Sequence, residues 1–351
     1  MRPLSVVIVT HDNREAVGRT LPAMLGELEE GDELIVVDNA SEDGTPAVVR
    51  ELAPSAKVIE SGDNLGFGGG CNRGAEAASG DLLVFLNPDA VPAPGFRAGI
   101  VRPLEDGRGW SAWQGLVTAE DGRVVNTRGG VVHFTGIAWA GGSGEPLSGA
   151  TERPSGAEPG FVSGACLAIP RRTFLDQGRF AEEFFLYHED VDLSLRLRLA
   201  GGALGVEPGA RVDHDYEFAK GPSKWRYLER NRWATVLRTY PAGLLVLLIP
   251  ALLMTELALV PVAVAGGWHR QKLWAWADTV RSMPRLLAER RRIQATRRIR
   301  AREFAAPLTA DLESAYLGGA GRSRVLRALL RAYWSAVLAL LGAGPRSPGS
   351  G

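Results

Sequence analysis

The sequence predicts an α/β fold in which short strands and helices alternate around a sheet. Apolar, largely β-branched stretches recur from Leu4 to Val9 up to Leu82 to Leu86, and polar segments of helical pattern separate them. Alternation at such short intervals is typical of a parallel sheet with helices on both faces. The chain has 351 residues, 45% hydrophobic and 23% charged, which is enough for one large domain or two ordinary ones with a packed core.

The first elements follow in order from local signals. Leu4 to Val9 predicts a first strand, and Thr10 to Asn13 supplies N-cap chemistry for a helix that extends to about Leu28. The next elements are a strand at Leu34 to Val37, a helix from Asp43 to about Leu52, and a short strand at Val58 to Ile59.

The stretch from Asn64 to Gly74 is rich in glycine and leads into a helix that ends near Ala78. It does not fit the Gly-x-Gly-x-x-Gly dinucleotide fingerprint, which also belongs after the first strand of such a fold. We expect these glycines to let the backbone approach a ligand closely. Arg73 is either a phosphate contact or a solvated side chain.

Leu82 to Leu86 is an unbroken apolar run that predicts a strand buried on both faces. The run ends at Asn87-Pro88, because proline cannot donate to a sheet ladder. Asp89 therefore follows the carboxyl end of a central strand, where open α/β sheets bind ligands. A carboxylate there is suited to hold a divalent metal and, through it, a diphosphate; otherwise it only begins a loop.

Two polar clusters end other strands at the same predicted edge. Thr10 to Asn13 follows the first strand, and Asp38 to Ser41 follows the second. Their carboxylate and amide groups, with nearby backbone N–H groups, predict a nucleotide site. The alternative is that Asp38 and Ser41 only shape a turn.

Residues 97–160 give weaker signals. Short strand-like pieces occur at Gly115 to Val117 and Val131 to Phe134, and Asp121-Gly122 indicates a hairpin. Glu145 to Pro159 is polar with glycine and proline, which predicts a mobile loop. Phe161 to Ile169 predicts a further strand, closed by Pro170.

A second cluster of acids lies at a predicted helix start. Helical spacing of apolar residues begins near Asp190, and the first turn carries Glu189, Asp190 and Asp192. Capping and the helix dipole explain one such acid easily. The aromatic patch directly before, with Phe184, Phe185 and Tyr187, is a candidate binding wall, and a carboxylate beside it is a candidate general base. His214 ends a later short strand; it is either a metal ligand or, as lone histidines more often are, structural.

The C-terminal third has a different composition. Ala242 to Gly266 is almost wholly apolar and long enough to span a bilayer, but basic residues flank both ends and Glu256 interrupts it. We therefore expect an in-plane or re-entrant segment with arginines against anionic headgroups. The alternative is a soluble helical subdomain. Val325 to Leu341 predicts a second amphipathic helix, and Gly342 to Gly351 a disordered tail.

Bulk properties exclude several classes of protein. Lys+Arg and Asp+Glu number 40 each, which argues against a general nucleic-acid binder. Cys71 and Cys166 are the only cysteines, so there is no disulfide framework and a reducing compartment is expected. The apolar run at the N-terminus is too short for a signal peptide, so we expect the catalytic part to lie in the cytoplasm.

Four motifs in this order resemble the family 2 glycosyltransferases, and within them the bacterial rhamnosyltransferase-like branch. They are the segment Val36 to Thr45, the loop Asn64 to Gly74, Asn87-Pro88-Asp89, and the segment Phe185 to Arg196. The resemblance covers about residues 4–240. It implies a Rossmann-like GT-A fold and inverting transfer from a nucleotide-diphosphate sugar to an acceptor hydroxyl.

The resemblance also implies roles for particular residues. Asp89 stands at the last position of the family's Asp-x-Asp metal motif, and Asn87 replaces its first carboxylate, so a Mg²⁺ or Mn²⁺ ion would rest on Asp89 and His214. Asp190 of the Glu189-Asp190 pair would be the base. The strand-end clusters, the glycine-rich loop and the resemblance together give expected nucleotide-sugar contacts at Thr10, Asp12, Asp38, Asn39, Asn64, Gly66, Asn72, Arg73 and Asn87. Expected acceptor contacts are Gly164, Tyr187 and His188.

These expectations combine into one domain plan. Residues 1–240 would form the GT-A domain, 241–341 a helical membrane-associated region, and 342–351 a disordered tail. The expected enzyme uses a lipid-linked or cell-wall glycan acceptor at the cytoplasmic face of the cell membrane, and no nucleic acid. The rival interpretation, favoured by Asn87, is an inactive scaffold or glycan-binding protein of the same fold.

Overall fold

The structure, a computed structural model, describes residues 3–147, 158–215, 221–312 and 323–342. The chain divides into two compact units. The first comprises residues 1–130, 140–198 and 202–220, and the second comprises residues 131–139, 199–201 and 221–351. Most of the predicted mobile loop, Glu145 to Pro159, and all of the predicted tail after Gly342 lie outside the described residues.

A nine-stranded sheet forms the centre of the first unit. Its order is β3-β2-β1-β4-β10-β6-β11-β5, and β7 pairs with β6. The strands are β1 Leu4–Thr10, β2 Glu33–Asp38, β3 Lys57–Glu60, β4 Leu82–Leu86, β5 Val91–Pro92, β6 Trp110–Ala119, β7 Val124–Thr127, β10 Cys166–Pro170 and β11 Ala203–Asp213. A separate pair consists of β8 Gly130–Val132 and β9 Ala138–Ala140.

The sheet is mixed, which corrects the prediction that it is parallel throughout. Strands β3, β2, β1 and β4 are parallel, as predicted, but β10 runs antiparallel between β4 and β6. The antiparallel register pairs Cys166 with Leu86 and Pro170 with Leu82. An apolar run has the same composition in either direction, so the sequence of β10 carried no signal for its orientation. The hairpin predicted at Asp121-Gly122 is confirmed, since it joins the antiparallel strands β6 and β7.

Helices cover both faces of this sheet, as expected. They are α1 Arg14–Glu27, α2 Thr45–Leu52, α3 Gly66–Ala77, α4 Phe96–Glu105, α5 Arg171–Asp176 and α6 Glu189–Leu199. Successive side chains of β1 enter two different cores: Val6 and Ile8 pack in one, and Val7 and Val9 in the other. Every residue of β4 is buried, so the central strand is enclosed on both sides.

Most of the glycine-rich stretch lies in helix α3, and its glycines at positions 70 and 74 are required by close packing within the protein. A Cβ atom on Gly74 would lie 2.3 Å from Cγ1 of Val7, and one on Gly70 would lie 2.5 Å from Cγ1 of Val9. These glycines therefore let α3 pack directly against β1. Gly66 has a φ of +71°, and a Cβ there would lie 2.2 Å from the carbonyl oxygen of Phe185, so both conformation and space require glycine.

The second unit is built mainly from helices. They are α7 Ser223–Thr239, α8 Ala242–Ala265, α9 His269–Ala295, α10 Ala301–Ala305 and α11 Arg324–Gly342. The predicted amphipathic helix at Val325 to Leu341 is thus present as α11. By length and composition alone, α8 and α11 could each cross a bilayer.

Candidate active site

The carboxyl ends of β1, β2 and β4 lie side by side at one edge of the sheet. Thr10 pairs with Asp38, and Ile8 pairs with Leu86, directly before Asn87. The strand-end clusters that the sequence predicted to converge therefore occupy neighbouring positions. This edge is where an open α/β sheet binds its ligand.

Asp38 is buried and holds the turn that follows β2. Its Oδ1 accepts hydrogen bonds from the hydroxyls of Thr10, at 2.9 Å, and Ser41, at 2.6 Å, while its Oδ2 accepts the backbone N–H of Ser41 at 2.9 Å. The turn-shaping role that the sequence left open is therefore real. A carboxylate fixed by three donors is also a rigid part of any ligand site at this edge.

Asn39 connects this edge to the start of α3. Its Nδ2 donates to the carbonyl oxygen of Gly66 at 2.9 Å, and the backbone N–H of Gly66 donates to Oδ1 of Asn64 at 2.9 Å. On the other side, Asp12, with a φ of 54°, accepts the backbone N–H of Glu42 at 2.8 Å. The polar residues of three loops are thus joined by hydrogen bonds.

Asn72 and Arg73 differ in their surroundings. Asn72 is buried; its amide donates to the carbonyl oxygen of Phe180 and to Glu182, and accepts the backbone N–H of Phe180, each at 3.0 Å. Its side chain therefore fixes the loop that precedes α6, and we leave it out of the nucleotide contacts proposed below. Arg73 is largely exposed, with Glu76 at 3.8 Å.

Asp89 and His214 meet at the end of β4. Nε2 of the buried His214 lies 3.0 Å from Oδ1 of Asp89 and 3.3 Å from Nδ2 of Asn87. The backbone N–H of His214 donates to the carbonyl oxygen of Thr118 at 2.8 Å, which fixes the position of the imidazole. The residue after β11 thus places an imidazole nitrogen beside the carboxylate.

This pair fits a divalent cation with two protein ligands. Two ligand atoms bound at right angles to one ion, each at about 2.1 Å, lie about 3 Å apart, which is the spacing between Asp89 and His214. Among the described residues there is no group of three or more His, Cys, Asp or Glu side chains that could hold a metal. The remaining ligands of an ion here would be water and the oxygens of a diphosphate, which is how Mg²⁺ is commonly held.

Asp190 lies at the start of α6 and is fixed by two backbone donors. The N–H of Gly164 donates to its Oδ2 at 3.0 Å, and the N–H of Val191 donates to its Oδ1 at 2.8 Å. Burial raises the pKa of Asp190 above its ordinary value, and these two hydrogen bonds oppose that rise because they favour the ionised form. The carboxyl group is thus held in one orientation by the main chain.

Glu189 lies in a different environment from its neighbour. It is buried, and its Oε2 has no hydrogen-bond partner among the described residues. Burial, with the adjacent charge of Asp190 adding to it, raises the pKa of Glu189 well above the ordinary value. The pKa values of both acids are raised, that of Glu189 more strongly, so the Glu189 carboxyl is the one driven further toward its neutral form.

The backbone just before these acids is strained. Phe185, Tyr187 and His188 have φ values of 63°, 68° and 68°, a region that side chains other than glycine rarely occupy. The carbonyl oxygen of Phe185 accepts the N–H of Phe67 at 2.8 Å, which ties this segment to α3. Phe184 is buried in the core, so it is not part of the predicted binding wall, whereas Tyr187 is half-buried. Strain of this kind clusters at functional sites.

A short loop joins the two acidic positions. The carbonyl oxygen of Ala165 accepts the N–H of Asn87 at 3.1 Å, while the adjacent Gly164 donates to Asp190. The end of β4 and the start of α6 are therefore linked through two consecutive residues. Gly164 was expected to be an acceptor contact, but the sequence carried no signal for this link, since a single glycine before an apolar strand is common.

Comparisons with known proteins agree with this geometry. Residues 5–151 match the model of "Glycosyl transferase family 2". The N-acetylglucosaminyl-diphospho-decaprenol L-rhamnosyltransferase of Mycobacterium tuberculosis is 29% identical over 258 residues, which cover 66% of this chain and 82% of that protein. Human polypeptide N-acetylgalactosaminyltransferase 15 is 26% identical over 233 residues, 61% of this chain and 36% of that protein.

Solved structures share the fold at low sequence identity. GalNAc-T7, crystallised with UDP, GalNAc and Mn²⁺, superposes with a TM-score of 0.55 at 18% identity over 69% of this chain and 49% of its own. S. aureus TarS superposes with a TM-score of 0.52 at 14% identity over 99% of this chain and 93% of its own. The chain therefore has a GT-A-like fold, matches the family 2 glycosyltransferases over residues 5–151, and is similar to a rhamnosyltransferase.

Proposed function

We propose that this enzyme transfers rhamnose from a nucleotide-diphosphate donor to a hydroxyl of a lipid-linked glycan, with inversion at the anomeric carbon. The link from Asn87 through Ala165 and Gly164 to Asp190 carries the proposal, because it joins the end of β4, where the diphosphate would bind, to the loop that orients the Asp190 carboxyl group. The name of the mycobacterial relative supports both rhamnose and a diphospho-decaprenol acceptor.

The donor nucleotide would lie along the strand edge. Thr10, Asp38 and Asn39 would contact the base and ribose, since they combine fixed acceptors with neighbouring backbone N–H groups. The same pocket would be bordered by Asp12, Asn64, Gly66 and Arg73. The sugar diphosphate would be bordered by Asn87. The rigid hydrogen-bonded turns mean that little conformational entropy is lost when the donor binds.

Asp89 and His214 would hold a divalent cation against the diphosphate. Bound there, Mg²⁺ or Mn²⁺ would neutralise the charge that develops on the departing phosphate oxygens. The protein contributes the placement of the two ligand atoms, and Asn87 keeps the amide beside His214. A single carboxylate in place of two would weaken the metal's attachment to the free protein and make it depend more on the donor.

Asp190 would act as the general base. As the acceptor oxygen bonds to the anomeric carbon, the bond from that carbon to the diphosphate oxygen breaks, and the acceptor proton passes to Asp190. The diphosphate leaves with the bonding electrons, and attack from the opposite face inverts the centre. The N–H groups of Gly164 and Val191 aim the carboxylate, and Tyr187 and His188 would border the acceptor.

A lipid-linked acceptor places the reaction at a membrane. We therefore propose that the enzyme acts at the cytoplasmic leaflet, which agrees with the two apolar C-terminal helices. The alternative function is an inactive scaffold or glycan-binding protein, and the replacement of a metal-motif carboxylate by Asn87 is the feature that favours it.

A donor screen tests the proposal. The full-length protein in mild detergent is incubated with uridine-, thymidine- and guanosine-diphosphate sugars, with and without a polyprenyl-diphosphate-linked N-acetylglucosamine acceptor, and release of nucleoside diphosphate is measured. We expect acceptor-dependent turnover, with the product in the inverted configuration by NMR. Asp190→Asn should lower the rate on the order of 10²- to 10⁴-fold while donor affinity stays within about twofold. No turnover with any donor would favour the scaffold.

A further inference from the structure

Helix α8 of the second unit carries two opposite apolar stripes, of which only one is packed. The packed stripe is Leu244, Leu248, Leu252, Leu259 and Ala263. The exposed stripe is Val246, Ile249, Leu253, Leu257, Val260 and Val264. Successive members of each stripe are three, four or seven residues apart, so each stripe follows one helix face, and the two faces point away from each other. Leu257 is 66% exposed and Val246 is 63% exposed.

A balanced group of charges holds the inner face of α8. Glu256 contacts Arg232 of α7 and Lys272 of α9, the latter at 2.8 Å, and accepts the indole N–H groups of Trp233 at 2.9 Å and Trp276 at 2.6 Å. Glu229 completes the group, 3.2 Å from Arg232 and 2.5 Å from Lys272. The negative charges of the two glutamates balance the positive charges of Arg232 and Lys272. The charge of Glu256, which the sequence indicated would be costly in lipid, is therefore paired within the protein.

We propose that α8 docks the enzyme in the plane of an anionic phospholipid surface and does not cross the bilayer. A spanning helix is surrounded by lipid or by other spanning helices, whereas one face of α8 is committed to a charged group shared with α7 and α9. Moving α8 across a bilayer would carry those charges with it or break their contacts, and either is costly. A 24-residue helix lying flat presents a line of about 36 Å.

Helix α9 supplies the positive charge that binding to an anionic phospholipid surface requires. Opposite its buried side, α9 exposes apolar Leu273, Trp274, Val280 and Leu287. The same exposed side carries Arg270, Arg281, Arg285, Arg291 and Arg292. Apolar side chains interleaved with arginines match the boundary between acyl chains and anionic headgroups. A soluble protein partner or a second copy would not need this combination, so we assign the surface to lipid.

This inference rests on the proposed lipid-linked acceptor, and vesicle flotation tests it separately from activity. The full-length protein is mixed with phosphatidylcholine vesicles with and without phosphatidylglycerol. We expect flotation that increases with the anionic lipid and falls with salt. Leu257→Glu should weaken flotation on the order of tenfold, since it replaces an apolar contact with the lipid by a charge. Ser55→Glu adds the same charge to an exposed turn of the first unit and should leave flotation unchanged.

Cysteine labelling then separates docking from spanning. Both native cysteines are buried, so single cysteines placed at the exposed ends of α8, Ala242→Cys and Ala265→Cys, can be followed with a membrane-impermeant maleimide. In inverted membrane vesicles both ends should react, and in intact spheroplasts neither should. Reaction of one end from each side would overturn the proposal in favour of a spanning helix.

The remaining outcomes are equally decisive. If wild-type protein does not float, or if Leu257→Glu changes the mass in solution and not the flotation, the face binds a partner other than lipid and the proposal is wrong. Leu257→Glu should keep wild-type turnover with a short-chain acceptor in detergent. Flotation without turnover by the wild type would contradict the proposed function and leave the docking surface supported.

Discussion

The backbone N–H of Gly164 donates to Oδ2 of Asp190 at 3.0 Å, and it does so from a loop in contact with the aromatic ring of Phe67. The proposed base is therefore oriented by main chain and not by another side chain. Main-chain donors have no protonation state of their own, so they hold the carboxylate in the same way at any pH. The precision of this contact depends on how closely the loop approaches Phe67.

Gly164→Ala should displace this donor. A Cβ atom there would lie 2.9 Å from Cε1 of Phe67, so either the ring or the loop must move. We expect kcat to fall on the order of tenfold to a hundredfold, because a shift near 1 Å at a catalytic group has effects of that size. The Michaelis constant for the donor should change less than kcat, since the proposed contacts to the base and ribose lie on other loops.

Phe67→Leu supplies the control for this prediction. The smaller side chain makes room for the added methyl group, so the double variant should recover most of the rate lost in Gly164→Ala. Steady-state kinetics of the two single variants and the double variant measure the coupling. Additive losses would show that the methyl group acts in some way other than through Phe67.

Glu189 and Asp190 should respond differently to neutral replacement. Glu189→Gln resembles the neutral acid, so it should keep much of the activity that Asp190→Asn loses. The raised pKa of Glu189 also affects stability: the unfolded chain ionises this carboxyl near its ordinary pKa of 4.5, but the folded chain keeps it protonated to higher pH. Stability of the wild type therefore falls as pH rises above that value, by up to about 1.4 kcal/mol per pH unit.

Denaturant unfolding at pH 5 and pH 7.5 measures this difference. Relative to the wild type, Glu189→Gln should become more stable as pH rises across that interval, because glutamine has no proton to lose. Glu15→Gln, at an exposed position of α1, should show no such trend. Equal pH trends for wild type and Glu189→Gln would mean that Glu189 is ionised in the folded enzyme.

The described structure also shows which parts of this molecule a sequence can predict. Strand positions and the polar strand ends were predictable, because burial on two faces and the residues that stop a strand leave direct patterns. The direction of β10 was not predictable, because the hydrophobicity of a strand is the same in either chain direction. The role of Gly74 was missed for a related reason: glycine signals a close approach but not whether a ligand or Val7 makes it.

Long-range partners were the other limit. The sequence indicated that Glu256 was out of place in an apolar helix, but its compensating residues lie in α7 and α9, at no fixed spacing from it. The link through Gly164 and Ala165 was hidden similarly, because it joins segments far apart in the chain. Motif order predicted that Asp89 and Asp190 belong to one family pattern, while the hydrogen bonds that connect their neighbourhoods required the fold.

His214 should bind metal together with Asp89. His214→Ala removes the imidazole nitrogen that lies 3.0 Å from Oδ1 of Asp89, so Mn²⁺ affinity in the presence of a nucleoside diphosphate should fall by about tenfold to a hundredfold. Electron paramagnetic resonance of bound Mn²⁺ reads this without any turnover. His269→Ala, at an exposed histidine of α9 in the second unit, is the control. Unchanged Mn²⁺ binding in His214→Ala would show that this histidine is structural, and Asp89 would then be the sole protein ligand in the proposal.

The charged group on α8 should behave as a unit. Glu256→Gln leaves Arg232 and Lys272 with one acid, Glu229, and an uncompensated buried charge costs about 3–5 kcal/mol. Adding Lys272→Met restores the balance between Glu229 and Arg232, so the double variant should be more stable than the sum of the single losses predicts, by about 1–3 kcal/mol. Urea unfolding followed by tryptophan fluorescence reports on this unit, because Trp233 and Trp276 touch Glu256 directly. Strictly additive losses would mean that each charge is solvated independently, and α8 would then lack the fixed inner face on which in-plane docking depends.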